Sequence, residues 1–389
     1  MKILIATPVL YDKSSAFNHL FKDIIGGFLA AGHQVIRLVA CRNDQEADFT
    51  YGYAGPNIQH VRFRRAESGH RNILSRYLRD TLTNLRQARA LRQHPADVLF
   101  EDVSYSSFWM VRAAKKRGMR VVAMLQDVWP DNAVQCGLLK PNGLLYRYFE
   151  WWQRQVYRRA DKIVCISDDM KEFLVGKGVP AEKVEVIYNW GYRDEVGTIP
   201  WDENQFVKKY QLPRDKFYAV YAGNLGKMQN VELIVRAARQ LQGDDRIQFL
   251  IVGDGARRET IAEQAAGLTN VTMLPLQPPE LAEHIYSMAG VNLIPLVEGG
   301  AQTAMPSKTA VLLSCARPAI FCFGDQTKFG KLLTECRAGS CVSATDESQL
   351  AAAIRRIALG QDEYPGAAQL FQRNFCRTAN VERYCQAIQ

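Results

Sequence analysis

The sequence predicts an α/β protein made of two doubly wound domains, each a parallel sheet covered by helices on both faces. Segments with strand-like and helix-like patterns alternate from one end of the chain to the other. Most strand-like segments are continuous apolar runs, as expected of parallel strands buried on both faces, and short turns with glycine or proline follow them. At 389 residues the chain is too long for one ordinary hydrophobic core, so two domains are expected.

The first half of the chain holds seven predicted strands, at residues 2–9, 34–40, 59–63, 98–102, 120–127, 162–167 and 184–189. Five helices are predicted between them, at residues 15–31, 72–93, 106–117, 143–160 and 168–177. The apolar run that contains the first strand is too short to be the core of a signal peptide. We therefore interpret it as the opening strand of a folded domain.

The second half repeats the alternation, with strands predicted at residues 217–222, 248–252, 271–274, 291–295 and 319–323. Its helices are predicted at residues 230–241, 257–266, 279–289, 307–315, 328–335 and 347–359. The polar stretch 191–212, which holds Pro200 and precedes Pro213, is the expected boundary between the domains. We place the first domain at residues 1–195 and the second at residues 205–375.

Composition excludes several classes of protein. The nine cysteines form no C-x-x-C pair, and the six histidines do not pair at ligand spacing, so we expect reduced thiols and no metal site. No G-x-G-x-x-G follows the first strand, so a nicotinamide cofactor is not expected, and we predict no cofactor of any kind. No apolar stretch approaches the roughly twenty residues that span a bilayer. The expected location is the cytoplasm, with a membrane surface as the furthest alternative.

The net charge of +9 is concentrated in the first half of the chain. Residues 1–195 hold 29 Lys and Arg against 21 Asp and Glu, a net of +8, and the remainder holds 20 against 19. Arginines crowd the stretch 62–92, where leucines recur at roughly helical spacing. This pattern is typical of a core-packed helix with a solvated basic face, or of a helix at an anionic membrane or polyanionic acceptor. Nucleic acid is not an expected partner, because no binding motif accompanies the charge.

A second segment of this kind, residues 143–160, interleaves tyrosine, phenylalanine and tryptophan with arginine. Aromatic residues at helical spacing favour core packing, and their mixture with arginine leaves contact with a membrane interface as the alternative.

Three turns in the second half of the chain predict a site for a diphosphate. Each follows an apolar strand or opens a predicted helix, and the segments are 221–229 (YAGNLGKMQ), 249–255 (FLIVGDG) and 305–308 (MPSK). Glycine lets backbone N–H groups approach an anion, and a helix N-terminus adds about half a positive charge. G-x-x-G-K at 223–227 does not have the spacing of a Walker loop.

The residues of these turns receive separate roles. Lys227, Lys308 and the backbone amides of Gly226 and Ser307 are expected to stabilise the negative charge of the diphosphate. Remaining candidates for the same loops are Gly223, Asn224 and Pro306. Asp254 is either a ligand group or a turn residue, and Gly253, like Gly255, is expected to serve the turn itself.

The first domain offers Asp127 at the carboxyl end of a predicted strand, where ligands of open α/β sheets gather. We interpret Asp127 as a general base or a hydrogen-bond acceptor for a bound substrate, with an N-cap role as the alternative. Trp129, two residues later, is a platform for a bound substrate or a packing residue.

Seven segments in a fixed order resemble glycosyltransferases of the GT-B fold, family 4, nearest the bacterial cell-surface polysaccharide branch. They are AGHQV at 31–35, DVWPD at 127–131, ADKIVCIS at 160–167, YNW at 188–190, AGNLG at 222–226, VGDG at 252–255 and PSK at 306–308. The resemblance implies two Rossmann-like domains facing a cleft, with the acceptor held by the first and the nucleotide-sugar donor by the second. It also implies that residues 376–389 cross back to the first domain.

Further expectations come from the same resemblance. It implies transfer of a sugar with retention of the anomeric configuration. We expect the donor to be a UDP-sugar and the acceptor to be a lipid-linked saccharide. In that mechanism the leaving phosphate deprotonates the acceptor hydroxyl, Asp127 positions that hydroxyl, and Trp129 is the candidate sugar platform. Leu276 corresponds to a position whose backbone contacts the base, and Ser14 and Ser15 lie in the acceptor region.

The sequence departs from the family pattern at several positions. Thr303 and Val311 stand where the family carries two glutamates, which leaves Glu298 as the nearby acid for contact with the donor sugar. Asn224 and Gln229 replace the cations of the diphosphate loop. Ser14 and Ser15 stand in the region of a glycine pair, and Gln126 alone matches the active-site histidine.

Two other functions fit the same pattern. One is a non-hydrolysing UDP-sugar 2-epimerase of the same fold, and the other is a catalytically inactive partner subunit. The sequence does not identify the sugar, the acceptor, the linkage or the oligomeric state, because these depend on a few contacts held on variable loops.

Overall fold

The structure, a computed structural model, describes residues 1–6, 18–41, 51–64 and 73–389. It separates into two compact units, here called unit 1 and unit 2. Unit 1 comprises Met1–Tyr188 together with Thr378–Gln389, and unit 2 comprises Asn189–Arg377.

Unit 1 is built on a seven-stranded sheet in the order β3-β2-β1-β4-β5-β6-β7, with all neighbouring strands parallel. Its strands are β1 Lys2–Ala6, β2 Gln34–Cys41, β3 Ile58–Arg64, β4 Val98–Asp102, β5 Arg120–Leu125, β6 Lys162–Cys165 and β7 Val184–Val186. Its helices are α1 Asn18–Ala30, α2 Ile73–Ala90, α3 Phe108–Lys115, α4 Asp131–Gln135, α5 Leu144–Arg159, α6 Asp168–Gly176 and, near the C-terminus, α15 Arg377–Ala387.

Unit 2 is built on a six-stranded parallel sheet in the order β10-β9-β8-β11-β12-β13. Its strands are β8 Phe217–Asn224, β9 Ile247–Asp254, β10 Val271–Leu274, β11 Val291–Pro295, β12 Ala319–Cys322 and β13 Ser340–Val342. Its helices are α7 Gln205–Tyr210, α8 Glu232–Gln240, α9 Arg258–Ala265, α10 Ala282–Met288, α11 Thr309–Ser314, α12 Lys328–Glu335, α13 Glu347–Ala358 and α14 Ala367–Asn374.

The apolar runs of the sequence form the centre of each sheet. All five residues of β4 and all five of β11 are buried, as parallel strands covered by helices on both faces must be. Polar side chains mark where helices begin: Ser167 accepts a hydrogen bond from the Met170 amide at 3.1 Å, and Asp346 accepts one from the Gln349 amide at 3.0 Å. The predicted fold class, two Rossmann-like domains, is confirmed.

The C-terminal helix α15, Arg377–Ala387, packs on unit 1. Asn380 Nδ2 donates to the carbonyl of Tyr188 at 2.9 Å, and the ring centroid of Tyr384 lies 5.8 Å from that of Phe100 on β4. A Cβ added to Gly27 would lie 2.3 Å from Val381 Cγ1, so glycine on α1 allows this close approach.

The elements that sequence patterns did not predict are short or polar. The strand β13 has three residues, and α4 and α7 have five and six. The helix α14 has only eight residues, so its buried apolar residues Ala367, Leu370 and Phe371 complete a single repeat of the helical period, and α15 is mostly polar. Within the ranges that the structure describes, none of the helices has both the length and the hydropathy needed to cross a bilayer.

Candidate active site

The ends of β8 and β9 meet in direct backbone contact at the carboxyl edge of the unit 2 sheet. Gly223 pairs with Gly253, and a Cβ placed on Gly253 would lie only 1.9 Å from the Gly223 carbonyl oxygen. No side chain fits between two backbones at that distance, so Gly253 serves the close approach of the strands.

The side chain of Asn224 fills the space between the next two glycines. Its Oδ1 lies 2.6 Å from the position of a Cβ on Gly255, and its Nδ2 lies 2.8 Å from that of a Cβ on Gly226. Gly255 has φ +155°, within the region that favours glycine. The two turns are thus packed around Asn224, and larger side chains at either glycine would displace it.

Lys308, directly before α11, places its ammonium over this pair of strand ends. A Cβ on Gly223 would lie 2.7 Å from Lys308 Nζ, so the glycine is what lets the ammonium approach the strand. The Nζ atom is buried and forms no hydrogen bond or ion pair with any described residue. Burial of an ammonium without a partner is costly, because the charge loses its hydration.

Tyr221 supplies the surface on which the lysine rests. Lys308 Nζ lies 3.8 Å from the centroid of the Tyr221 ring, within the range of a cation–π contact. The Tyr221 hydroxyl is held away from the lysine's charge by donating to the Asn224 carbonyl at 2.6 Å. Because burial removes water from the ammonium, the pKa of Lys308 is lowered to about 7.

A second polar atom beside Lys308 also lacks a partner. The hydroxyl Oγ1 of Thr309, the first residue of α11, is buried and makes no hydrogen bond to the described residues. The adjacent backbone is regular, since the Thr309 amide donates to Pro306 and the Leu312 amide to Lys308, each at 3.0 Å. Ser307 is exposed. Lys308 and Thr309, consecutive residues at the start of α11, therefore each carry a buried donor without a partner among the described residues.

The other predicted donor-site residues lie on neighbouring loops with open side chains. Lys227 is exposed at the start of the short 3-10 turn Lys227–Gln229, and Glu298 is exposed in the loop after β11. These two loops are joined, because the Val297 amide donates to the Met228 carbonyl at 2.9 Å. Leu276 follows β10 and is 61% exposed.

Asp254 acts as a turn residue in this structure. Its Oδ1 accepts a hydrogen bond from the Gly255 amide at 2.8 Å, and the side chain is otherwise open to solvent. The carbonyl of Gly253 is used by Arg258, whose Nη1 donates to it at 2.6 Å.

The positions that correspond to the family's two glutamates are part of the packed interior. Thr303 is fully buried, and Val311 is 7% exposed. Val311 lies in α11, and its Cγ2 is 3.8 Å from the position of a Cβ on Gly191. A charged side chain at either position would be buried, which costs free energy unless a partner compensates its charge.

In unit 1, two carboxylates follow adjacent strands. Asp102 ends β4 and is buried, and Asp127 lies just beyond β5, with β4 and β5 paired in register. The Asp127 side chain reaches solvent, yet the surrounding protein removes part of its hydration. This desolvation, together with the nearby charge of Asp102, raises the pKa of Asp127 to about 6. The helix that follows is capped by Pro130, so the N-cap role does not apply to Asp127.

Trp129 is held in an aromatic cluster. Its ring centroid lies 5.5 Å from that of Tyr105 and 5.3 Å from that of Phe149, and its Nε1 is buried without a hydrogen-bond partner among the described residues. Packing therefore accounts for the ring, while the indole N–H retains an unused donor. Ser14 and Ser15 lie outside the described residues.

Sequence reasoning did not identify Tyr221 or Asp102. Alternation along a strand would have placed Tyr221 on the same face of β8 as Gly223, two residues later. The rule that identified Asp127, a polar residue at the carboxyl end of a strand, applies equally to Asp102. No group of three or more potential metal ligands is found in the part of the chain that the structure describes.

Comparison with known families divides the chain as the fold does. Residues 20–190 match the glycosyl transferase 4-like domain, and residues 216–359 match the domain named glycosyl transferases group 1.

Two relatives have names that describe glycosyltransferases. WbjE of Pseudomonas aeruginosa is 25% identical over 70% of this chain and 68% of its own length. WcaI of Escherichia coli, named for colanic acid biosynthesis, is 29% identical over 63% of this chain and 62% of its own length. The chain thus spans about two thirds of each of these relatives.

Solved structures share the fold over nearly the whole chain. The sucrose-phosphate synthase of Thermosynechococcus elongatus aligns with a TM-score of 0.78 at 15% identity, covering 99% of this chain and 97% of its own. HepE of Anabaena, solved in complex with UDP-glucose, aligns with a TM-score of 0.71 at 15% identity, covering 100% and 99%. With both domains matched in order, the chain belongs to the glycosyltransferases of the GT-B fold, family 4.

Proposed function

We propose that this glycosyltransferase moves a sugar from a UDP-sugar to a saccharide acceptor, with retention of anomeric configuration, in the biosynthesis of a cell-surface polysaccharide. Unit 2 holds the donor in this proposal, and unit 1 supplies groups that bind the acceptor. The acceptor is proposed to be lipid-linked.

The observation that carries the proposal is the buried ammonium of Lys308 above Gly223, which has no partner among the residues that the structure describes. A protein that keeps a lysine in this position without an internal partner stabilises it by other means, and an anionic ligand is the simplest. Thr309 Oγ1, in the next residue, is a second buried donor without a partner among the described residues, and the exposed Lys227 lies in the turn that follows β8. A diphosphate carries negative charge and several acceptor oxygens, which are the partners that these donor groups require.

The chemistry follows from the electrostatics of this site. Departure of the nucleoside diphosphate places negative charge on its terminal phosphate and leaves oxocarbenium-like charge on the sugar. A diphosphate beside Lys308 raises the lysine's pKa, so the residue is protonated in the complex. A fixed cation in a site without water stabilises the departing charge more than water does, and one such donor contributes about 2.7–4 kcal/mol to lowering the barrier.

Asp127 suits a role at the acceptor hydroxyl. With a pKa of about 6 it is largely ionised at neutral pH and accepts a hydrogen bond. In the proposed retaining mechanism the leaving phosphate takes the acceptor's proton, and Asp127 positions the hydroxyl. Glu298, the exposed acid in the loop after β11, is the proposed contact for the donor sugar.

The names of related proteins support the substrate class. WcaI is named for colanic acid biosynthesis, and HepE was solved with UDP-glucose. These names support a nucleotide-sugar donor and a role in polysaccharide biosynthesis.

The test begins with binding of nucleotides by calorimetry. UDP, GDP and ADP, and then the sugars of the best of the three, are titrated against the protein and against the variant Lys308→Met. We expect UDP to bind and the variant to lose most of the affinity. Preferred binding of GDP or ADP would overturn the assignment of the base, and absence of nucleotide binding would overturn the proposal.

A second measurement separates transfer from its alternatives. The protein is incubated with a saccharide acceptor and a UDP-sugar that it binds in the first test. The product is then examined by NMR, in which the coupling constant of the anomeric proton distinguishes retention from inversion. Change of the sugar in the absence of acceptor would indicate a 2-epimerase. If the protein binds the nucleotide but neither transfers the sugar nor slowly hydrolyses the donor, it is an inactive partner subunit.

A further inference from the structure

Unit 1 exposes a group of large apolar side chains on α2, α5 and the loop before α5. We call this surface the α2–α5 patch, and its members are Leu78, Leu82, Leu138, Leu144, Tyr148 and Trp151. Their exposed fractions run from 46% for Tyr148 to 86% for Leu144. Large apolar side chains are rarely exposed together on a soluble surface unless the surface binds something.

The three segments form one continuous surface. The hydroxyls of Tyr77 on α2 and Tyr148 on α5 lie 3.1 Å apart, and the ring centroids of Tyr77 and Phe149 are 5.1 Å apart. Leu139, which follows Leu138 in the chain, packs into the same small cluster as Phe149. The exposed leucines therefore surround a shared buried anchor.

The face of α5 explains why these side chains are not core residues. Phe149, Val156 and Tyr157 are buried, whereas Leu144, Tyr148 and Trp151 recur on the opposite face at spacings of four and three. The sequence favoured core packing for the aromatic residues of this segment. The structure divides them, burying one face of the helix and leaving the other apolar face open.

Basic side chains border the patch. The sequence of α5 contains four arginines and one acid, and that acid, Glu150, forms ion pairs with Lys177 and Arg154. The sequence of α2 likewise contains four arginines and one acid, and the acid, Asp80, pairs with Arg79. The border therefore carries a net positive charge, because arginines outnumber acids on both helices even after these ion pairs are counted.

We propose that the α2–α5 patch docks unit 1 on an anionic lipid surface. Leucine, tyrosine and tryptophan suit the boundary between headgroups and acyl chains, and arginine suits the lipid phosphates. Each basic residue near an anionic membrane contributes about 1 kcal/mol, which is roughly fivefold in binding. This inference stands apart from the donor site in unit 2.

A second copy of this chain is a less suitable occupant. A symmetric contact would place the same arginine border of α5, including Arg147, Arg154 and Arg158, against itself. Like charges that face each other across an interface oppose association. An anionic surface satisfies both the apolar centre and the basic border.

The test is co-sedimentation with vesicles of phosphatidylcholine alone and of phosphatidylcholine with phosphatidylglycerol. We expect binding to the anionic vesicles, weakened by added salt, and little binding to the neutral ones. Arg147→Glu should reduce the partition coefficient at least about fivefold. The double variant Leu78→Ser with Leu144→Ser should reduce it about tenfold or more, because each leucine loses its apolar contact with lipid.

Matched controls come from exposed residues of unit 2. Lys331→Glu makes the same change of charge at an exposed site, and Leu359→Ser removes a leucine that is 47% exposed. Both should bind vesicles as the unmodified protein does, and all variants should bind nucleotide in solution as before. Equal binding of patch variants and controls, equal binding to neutral vesicles, or no binding to anionic vesicles would each overturn the proposal. A patch-dependent dimer by light scattering with no vesicle binding would overturn it in favour of self-association.

Discussion

Replacing Lys308 with methionine should stabilise the free protein and weaken its binding of nucleotide. Methionine keeps most of the length of the lysine side chain and its contact with the Tyr221 ring, but it carries no charge. The variant therefore removes the buried ammonium with little change in packing.

The magnitude follows from the pKa of Lys308, which is about 7 instead of 10.5. One pKa unit corresponds to about 1.4 kcal/mol, so the buried charge costs roughly 3–5 kcal/mol relative to water. The variant also loses the contact between Nζ and the Tyr221 ring at 3.8 Å, and this loss cancels up to about 2 kcal/mol of the gain in stability. We expect the free energy of unfolding at pH 7 to rise by about 1–4 kcal/mol in the variant.

The pH dependence gives an independent check. In the unfolded chain lysine keeps its proton up to about pH 10.5, whereas the folded protein releases it near pH 7. The destabilisation by Lys308 is therefore fully present below pH 7 and is lost as the pH rises towards 10.5. The difference in stability between variant and unmodified protein should shrink over the same range.

Binding should change in the opposite direction to stability. Loss of a hydrogen bond to a charged group costs about 1.5–3 kcal/mol, so affinity for the preferred nucleoside diphosphate should fall about 10- to 150-fold. In the unmodified protein at pH 8, calorimetry in buffers of different ionisation enthalpy should show proton uptake on binding, and the variant should lose it.

Lys331→Met, a change at an exposed lysine of α12, is the matched control and should alter none of these quantities. Thermal and denaturant unfolding at several pH values, with calorimetry of nucleotide binding, provide the measurements. A variant that is less stable than the unmodified protein at pH 7 and binds nucleotide equally well would refute the reasoning.

Two further predictions concern other parts of the site. The pH profile of kcat should fall on the acid side near the pKa of Asp127, about 6, and Asp127→Asn should abolish this fall. Asp102→Asn should move the fall to lower pH, because loss of the Asp102 charge lowers the pKa of Asp127. A fall that Asp102→Asn leaves at the same pH would contradict the coupling. Gly253→Ala should destabilise unit 2 by several kcal/mol in thermal unfolding, because the added Cβ meets the Gly223 carbonyl at 1.9 Å. Gly243→Ala, with nothing within 4 Å of the added atom, should have little effect, and equal stabilities for the two alanine variants would count against the close-approach argument.

Much of the fold could be predicted from local patterns. Continuous apolar runs identified most of the parallel strands, because burial on both faces leaves a signal within a few residues of sequence. The strand β13, Ser340–Val342, and the helix α14 are too short for a clear period, and the polar helix α15 left no such signal. Their positions depend on tertiary contacts, such as the hydrogen bond from Asn380 to Tyr188.

The candidate site could be predicted only as a set of loops. The turns around Gly223, Gly253 and Lys308 were recognisable because glycine and a helix start carry a local meaning. Their roles at the atomic level were not, and the assignment of particular side chains to donor or acceptor stays a prediction. Asp254, for example, uses its carboxylate within its own turn.

The sequence by itself determined the alternation of strands and helices, the fold class and the order of the glycine-containing turns. Each of these depends on patterns among residues that are close together in the chain. The tertiary structure alone decided that Lys308 Nζ is buried above Gly223 with no partner in the described parts of the chain, and that one face of α5 is left open while the other is packed. The physical reason is that desolvation depends on every atom packed around a group. Those atoms come from strands and helices far apart in the chain, as Tyr221 and Lys308 do.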